Sequence, residues 1–183
     1  MRHIPNLICL IRLLLVWPVA SALEHARYAL ALGLFIVAAV SDGLDGFLAK
    51  RFNWTSELGK VLDPAADKLL LVVVFVETAW LGLVPWWLTA AAVARDVMIA
   101  LGALAFRLGI GPLHGHPTVI SKINTAAQLL YLIGVMFAAA ALLPAAGVLR
   151  AAALLVFSTT VLSGLDYLVT FTRRAWTASA RSA

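Results

Sequence analysis

Six runs of apolar residues follow one another along the chain, separated by short polar or Gly/Pro-containing breaks. They cover 4–23, 29–50, 60–82, 86–107, 119–143 and 147–171. An α-helix rises about 1.5 Å per residue, so about 20 apolar residues cross a hydrocarbon core. Each run therefore predicts one membrane-spanning helix. Pro85 separates the third run from the fourth, and Pro144 with Gly147 separates the fifth from the sixth. The polar stretch from Lys50 to Lys60 forms a hinge between the second and third. No short-period repeat, low-complexity tract or interdomain linker interrupts the order. The pattern predicts an all-α integral membrane protein, with six transmembrane helices in a single domain over 1–183.

Composition agrees with a lipid setting. The chain is 63% hydrophobic and 13% charged, with a mean hydropathy of +0.97. Soluble domains sit near 45–50% apolar and 25% charged. Cys9 is the single cysteine, so no intrachain disulfide can form. The net charge of +5 could suggest nucleic acid, but the basic residues flank apolar runs instead of forming one patch. They read as topology signals and as contacts to anionic head groups, so no nucleic-acid partner is expected. The first apolar run contains Arg12 and is followed by further spans, which argues against a cleavable signal peptide.

Charge also predicts orientation. A cytoplasmic N terminus places Arg2, Lys50, Arg51, Lys60, Arg107, Arg173, Arg174 and Arg181 on the cytoplasmic side, against mainly Arg27 and Arg150 opposite. The positive-inside rule selects that orientation, with both termini cytoplasmic. Trp80, Trp86 and Trp87 flank the outer turn as an aromatic belt.

Four aspartates stand out against this apolar background: Asp42, Asp45, Asp63 and Asp67. Ionisable groups at membrane depth cost about 2.5–3.5 kcal/mol each on insertion scales. Four carboxylates close together call for a partner, and a divalent metal takes carboxylate oxygens readily. Asp42 and Asp45 are three apart, and Gly59, Asp63 and Asp67 step by four, so each set shares a helix face. In the expected topology all four converge near the cytoplasmic ends of the second and third spans. Gly46 permits close backbone approach, and Lys50 lies one helical turn beyond it. The combination suits a phosphate-containing ligand, with carboxylates on metal, metal on phosphate oxygens, and a cation completing the balance. Plainer readings exist. Asp63-Pro64 could be a helix start, Lys50-Arg51 a topology anchor, and Gly46 and Gly59 helix-packing positions. None of these explains four aspartates together.

The run Asp42-Gly-Leu-Asp45-Gly46-Phe-Leu-Ala49-Lys50, eight residues, Gly59, three residues, Asp63, three residues, Asp67 resembles the signature of the CDP-alcohol phosphotransferase family. That signature reads D-x-x-D-G-x-x-A-R, eight residues, G-x-x-x-D-x-x-x-D. Every spacing matches. Lys50 stands where the family has arginine, keeping the charge and losing the bidentate fork. The resemblance implies a membrane enzyme that displaces CMP from a CDP-linked lipid; the charge bias and the placement of the carboxylates put its site at the cytoplasmic face, and a bacterial inner membrane is the expected location. Asp42, Asp45 and Asp63 would hold Mg²⁺ or Mn²⁺, with Asp67 completing the metal site and acting as general base. Gly46, Ala49, Lys50 and Gly59 would accommodate the nucleotide. A homodimer is implied on the same ground.

Further intramembrane charges bear on the acceptor. The segments Ala94 to Met98 and Val119 to Ala126 resemble those of eukaryotic-type cardiolipin synthases. Ile4-Pro5-Asn6 with Arg12, and the spacing of Lys122 to Gln128, also resemble phosphatidylglycerophosphate synthases. Both implied acceptors, phosphatidylglycerol and glycerol 3-phosphate, carry a phosphate and a free hydroxyl. Arg95 and Lys122 would bind that phosphate. Alternatively, Arg95 pairs with Asp96 or Asp166, and Lys122 snorkels to the interface. His114 and His116 read as solvated loop residues, and Glu77 and Asp166 receive no role. The expected activity is transfer of phosphatidyl from CDP-diacylglycerol, with phosphatidylglycerol favoured as acceptor. A divalent-cation transporter is the competing class, since intramembrane carboxylates also mark ion paths. A transporter would need neither Gly46 nor Lys50. A non-catalytic scaffold leaves the aspartates unexplained.

Overall fold

The apolar runs fold as helices. The structure is a computed structural model, described for residues 4–52, 59–109, 118–141 and 146–182, with side chains described for 13–41, 68–105, 118–141 and 147–172. Its six helices are α1 (Ile4–Glu24), α2 (Tyr28–Phe52), α3 (Gly59–Trp80), α4 (Trp86–Gly109), α5 (Val119–Ala139) and α6 (Ala146–Ser182). No strand occurs among the described residues. The stretches Trp86–Ala105, Val119–Ala139 and Gly147–Thr172 are long and apolar enough to cross a membrane. Within the described side chains, α1 and α2 contribute shorter apolar stretches, Leu13–Glu24 and Tyr28–Ser41.

Backbone chemistry sets where helices stop. Gly82 has φ 73°, and Gly82 N and Leu83 N donate to Ala79 O and Thr78 O at 3.0 and 2.9 Å. This is the paired bonding of a Schellman end, and glycine takes the left-handed position without steric cost. The same bonding ends α1, where Ala26 N and Arg27 N donate to Leu23 O and Ala22 O. There the left-handed residue is Ala26, with φ 54°. Ala141, with φ 61°, closes α5 in a related way, donating to Ala138 O. Thr118 starts α5 by accepting from Ser121 N at 3.3 Å, as an N-cap hydroxyl does.

The chain divides into two compact units. The first comprises Met1–Pro85 and Leu132–Ala146, and in it α1 packs on both α2 and α3. Val19, Ala22 and Leu23 of α1, Phe35 and Ala38 of α2, and Leu71, Val74 and Phe75 of α3 are buried. These positions recur at three- and four-residue steps, the spacing of one helix face. The second unit comprises Trp86–Tyr131 and Gly147–Ala183, holding α4, the first part of α5, and α6. Trp87 and Phe157 join α4 to α6 edge to face, with centroids 5.3 Å apart.

In this second unit polarity runs inside out. Leu130 on α5 is 68% exposed, whereas Asn124 on the same helix is fully buried. Thr89, Arg95, Ser121, Gln128, Thr160 and Ser163 are buried too, while Leu154, Leu155, Leu162 and Leu165 of α6 face outward. Water would favour the reverse. Lipid tails are as apolar as leucine, so helices there associate through small residues and interhelical hydrogen bonds.

Candidate functional site

Asp42 and Asp45 lie in the C-terminal half of α2, and Asp63 and Asp67 in the N-terminal half of α3. The two pairs therefore occupy the helix ends on either side of residues 53–58, within the first unit. Gly46, Ala49 and Lys50 follow on α2, and Gly59 is the first residue of α3. Because α3 begins a turn before Asp63, Asp63 does not serve as the helix start that Asp63-Pro64 could have marked. The side chains of these eight residues, like those of Arg12, His114 and His116, lie outside the described residues. Among the described residues no cluster of three His, Cys, Asp or Glu side chains could hold a metal. The donor set carried by α2 and α3 is all carboxylate, which suits Mg²⁺ or Mn²⁺ and disfavours softer ions.

A second constellation, in the other unit, is described in side-chain detail. Arg95 on α4 is only 4% exposed. One terminal nitrogen donates to Asp96 Oδ1 at 2.6 Å. The other donates to Ser121 Oγ on α5 at 2.6 Å and to Ser163 Oγ on α6 at 2.5 Å. Tyr167, one turn beyond Ser163, places its ring centroid 5.7 Å from the guanidinium carbon, a cation–π distance. One arginine thus ties three helices together. Beside Ser163, Gly164 packs near the stem of Arg95 and the tip of Met98, at distances that a Cβ would also meet as ordinary contact. Of the two expected partners for Arg95, Asp96 makes the ion pair.

Ser121 immediately precedes Lys122, so the Arg95 guanidinium reaches α5 at the residue next to the second acceptor-binding candidate. The Thr118 cap sets that first turn, with Lys122 N bonded to Thr118 O at 3.2 Å. Lys122 is exposed, on a different face from Ser121. Deeper along α5 come Asn124 and Gln128. Asn124 Oδ1 accepts from Thr159 Oγ1 and Thr160 Oγ1 of α6, both at 2.9 Å. Those two hydroxyls fix the amide and leave Nδ2 as its remaining donor. Asn124 Nδ2, Gln128 Nε2, Arg95 Nε and Asp166 Oδ2 are buried without a hydrogen-bond partner among the described residues. Buried polar atoms without partners are uncommon and mark places where a polar ligand or water can be held.

Sequence alone assigns no role to Ser163, Thr159, Thr160 or Tyr167, and Asn124 and Gln128 lie within the stretches of α5 that resemble the two synthases. A signal existed for the α5 members. Ser121, Asn124 and Gln128 recur at three and four residues inside an apolar run, drawing one polar stripe.

The sequence profile of the CDP-alcohol phosphatidyltransferase family matches residues 2–171. The chain belongs to that family. It is similar to human cardiolipin synthase (CMP-forming), 34% identical over 152 residues, covering 74% of this chain and 50% of that protein. It is also similar to cardiolipin synthase (CMP-forming) of Streptomyces coelicolor, 41% identical over 87 residues, covering 48% and 38%. A third relative is the CDP-diacylglycerol–glycerol-3-phosphate 3-phosphatidyltransferase of Sodalis glossinidius, 34% identical over 111 residues, covering 57% and 58%. The chain spans about half the length of the human relative it matches.

Proposed function

We propose that the protein transfers a phosphatidyl group from CDP-diacylglycerol to phosphatidylglycerol, releasing CMP and forming cardiolipin at the cytoplasmic face of the membrane. Asp42, Asp45, Asp63 and Asp67 would hold a divalent ion, which when bound would supply charge neutralisation of the pyrophosphate and of the leaving CMP. Gly46, Ala49 and Gly59 leave room for the nucleotide, and Lys50 contacts a phosphate as a point charge. Asp67 takes the proton of the acceptor hydroxyl as its oxygen bonds to the lipid-side phosphorus. The bond from that phosphorus to CMP breaks in the same displacement, which rests on positioning more than on a covalent intermediate.

The observation that carries the acceptor is the Arg95–Asp96 pair, 2.6 Å apart with both side chains largely buried. Asp96 cancels the charge of Arg95. Lys122 adds one positive charge at the start of α5, with no carboxylate paired to it among the described residues. Asp166 adds a second carboxylate to this unit, so Arg95, Lys122, Asp96 and Asp166 come to about zero net charge, leaving little surplus positive charge for a dianion and suiting a phosphodiester monoanion such as phosphatidylglycerol better. A phosphomonoester such as glycerol 3-phosphate carries about −1.5 to −2 near neutral pH and would leave charge unbalanced. The relative that uses glycerol 3-phosphate by name keeps that acceptor as the second reading. Purified protein supplied with labelled CDP-diacylglycerol and each acceptor in turn decides between them. Cardiolipin formation at the higher kcat/KM supports the first reading. Phosphatidylglycerophosphate as the main product overturns it.

A further inference from the structure

The turn between α1 and α2 carries chemistry that phosphatidyl transfer does not use. A groove of about 460 Å³ runs between the two helices there, within the size range of ligand clefts. Its lining is graded along its length. Trp17 and Pro18 of α1 and Leu30 and Leu34 of α2 form an apolar stretch, and His25 and Arg27 form a polar end at the turn. Arg27 and Leu34 are seven residues apart, so the gradient extends about 10 Å along α2. Trp17 is 80% exposed and Leu30 50% exposed, so the apolar stretch opens sideways.

The polar end is short of negative charge. Arg27 occupies the N-cap of α2, its carbonyl accepting from Ala31 N at 3.0 Å. An arginine side chain has no acceptor with which to cap the first N–H groups. The first turn of α2 contains no acidic residue. A guanidinium therefore sits at the positive end of a helix dipole, where an anion is the favourable neighbour. Among the described residues no carboxylate pairs with Arg27. Glu24, nearby on α1, is exposed. The His25 ring is held at the same turn by Nδ1 against Ser21 O, 2.8 Å away.

An anion-seeking end continuous with an apolar, sideways-open stretch fits one class of molecule. We propose that this groove binds a glycerophospholipid of net negative head group, its phosphate on Arg27 and the first N–H groups of α2. One acyl chain lies along Trp17, Pro18, Leu30 and Leu34. Arg27 and Asp42 are fifteen residues apart on α2, about 22 Å along its axis, so the bound lipid is not the one undergoing transfer. The lipid belongs to the leaflet at the α1–α2 turn and acts as a fixed ligand of the first helical unit.

The test uses the purified full-length chain in a neutral detergent, titrated with phosphatidylserine or phosphatidylcholine of identical chains and read by native mass spectrometry. Phosphatidylserine avoids both proposed substrates. It is expected to bind about fivefold tighter than phosphatidylcholine, the preference one cation supplies near a membrane surface. Arg27→Gln should abolish that preference and Arg27→Lys should keep most of it. Circular dichroism on each variant verifies that the helices are intact. A photoreactive residue placed at Leu34 should capture lipid. Equal binding of the two lipids by the wild type, or a preference surviving Arg27→Gln, would overturn the proposal. Capture of a second protein chain at Leu34 in place of lipid would do the same. So would full competition by soluble glycerophosphoserine at matched concentration, which would make the site a phosphate site and not a lipid site.

Discussion

Arg95 and Asp96, neighbours on α4, meet as an ion pair of 2.6 Å with side chains only 4% and 10% exposed. Successive helix positions diverge by about 100°, so they do not ordinarily face each other. The length of the arginine closes the gap, and its second nitrogen continues to α5 and α6. Removing one member of such a pair leaves an uncompensated buried charge, which costs about 3–5 kcal/mol.

Asp96→Asn is therefore expected to destabilise the protein by about 3 kcal/mol, seen as a lower midpoint in thermal or chemical unfolding in detergent. The same variant raises the net positive charge near Lys122. The ratio of kcat/KM for glycerol 3-phosphate to that for phosphatidylglycerol should rise. An unchanged ratio in a folded variant would remove the charge-balance argument for the acceptor.

The helices were legible because the physics that makes them is local. A run over 86–107 bounded by Pro85 is a span by composition alone, and α4 covers Trp86–Gly109. Ends were less legible. The fifth run was expected to 143, but α5 stops at Ala139 with alanine in the left-handed position, so no glycine marked the stop. The sixth run, 147–171, coincides with the apolar stretch Gly147–Thr172, while the helix itself continues past it to Ser182. Arginine and alanine are good helix formers, and leaving the apolar zone does not end a helix. The Arg95 hub shows the deeper limit. Ser121 and Ser163 are separated by some forty residues, and nothing local links either hydroxyl to an arginine on another helix. The aspartate pattern is local, its residues falling on two helices consecutive in the chain, α2 and α3, with their side chains outside the described residues.

Metal removal gives a direct check on those aspartates. Exhaustive chelation should abolish CMP release, and Mg²⁺ or Mn²⁺ should restore it, since carboxylates and pyrophosphate otherwise repel one another. Asp42→Asn, Asp45→Asn and Asp63→Asn should weaken metal affinity and activity together. Asp67→Asn should lower kcat more than it raises the KM for CDP-diacylglycerol. Wild-type turnover by Asp67→Asn at saturating metal would disprove the base assignment.

Lys50 marks the position where the chain leaves its family's pattern. Lys50→Ala should raise the KM for CDP-diacylglycerol about tenfold, equivalent to about 1.4 kcal/mol of binding. Lys50→Arg should remain active, with the acceptor KM nearly unchanged in both variants. Selective loss of acceptor binding would instead move Lys50 to the other substrate's pocket.

The α1 end offers a stability test far from the chemistry. Ala26 holds φ 54°, a conformation that costs an L-residue about 1–2 kcal/mol and glycine almost nothing. Glycine also loosens the unfolded chain, which returns part of the gain. Ala26→Gly should stabilise the protein by about 1 kcal/mol, or about 2–4 °C in Tm. A lower Tm would show that the turn is held by contacts that glycine forfeits.

The polar stripe of α5 has a consequence for how the chain is assembled in its bilayer. Asn124 finds its two hydroxyl partners on α6, which is synthesised after α5. A nascent α5 entering lipid alone would carry Asn124 without the two α6 hydroxyls that bond it, a cost of several kcal/mol. Its release from the insertion machinery is therefore tied to the arrival of α6. A chain halted after α5 should linger at the translocation site or be degraded, although every residue of α5 is already present.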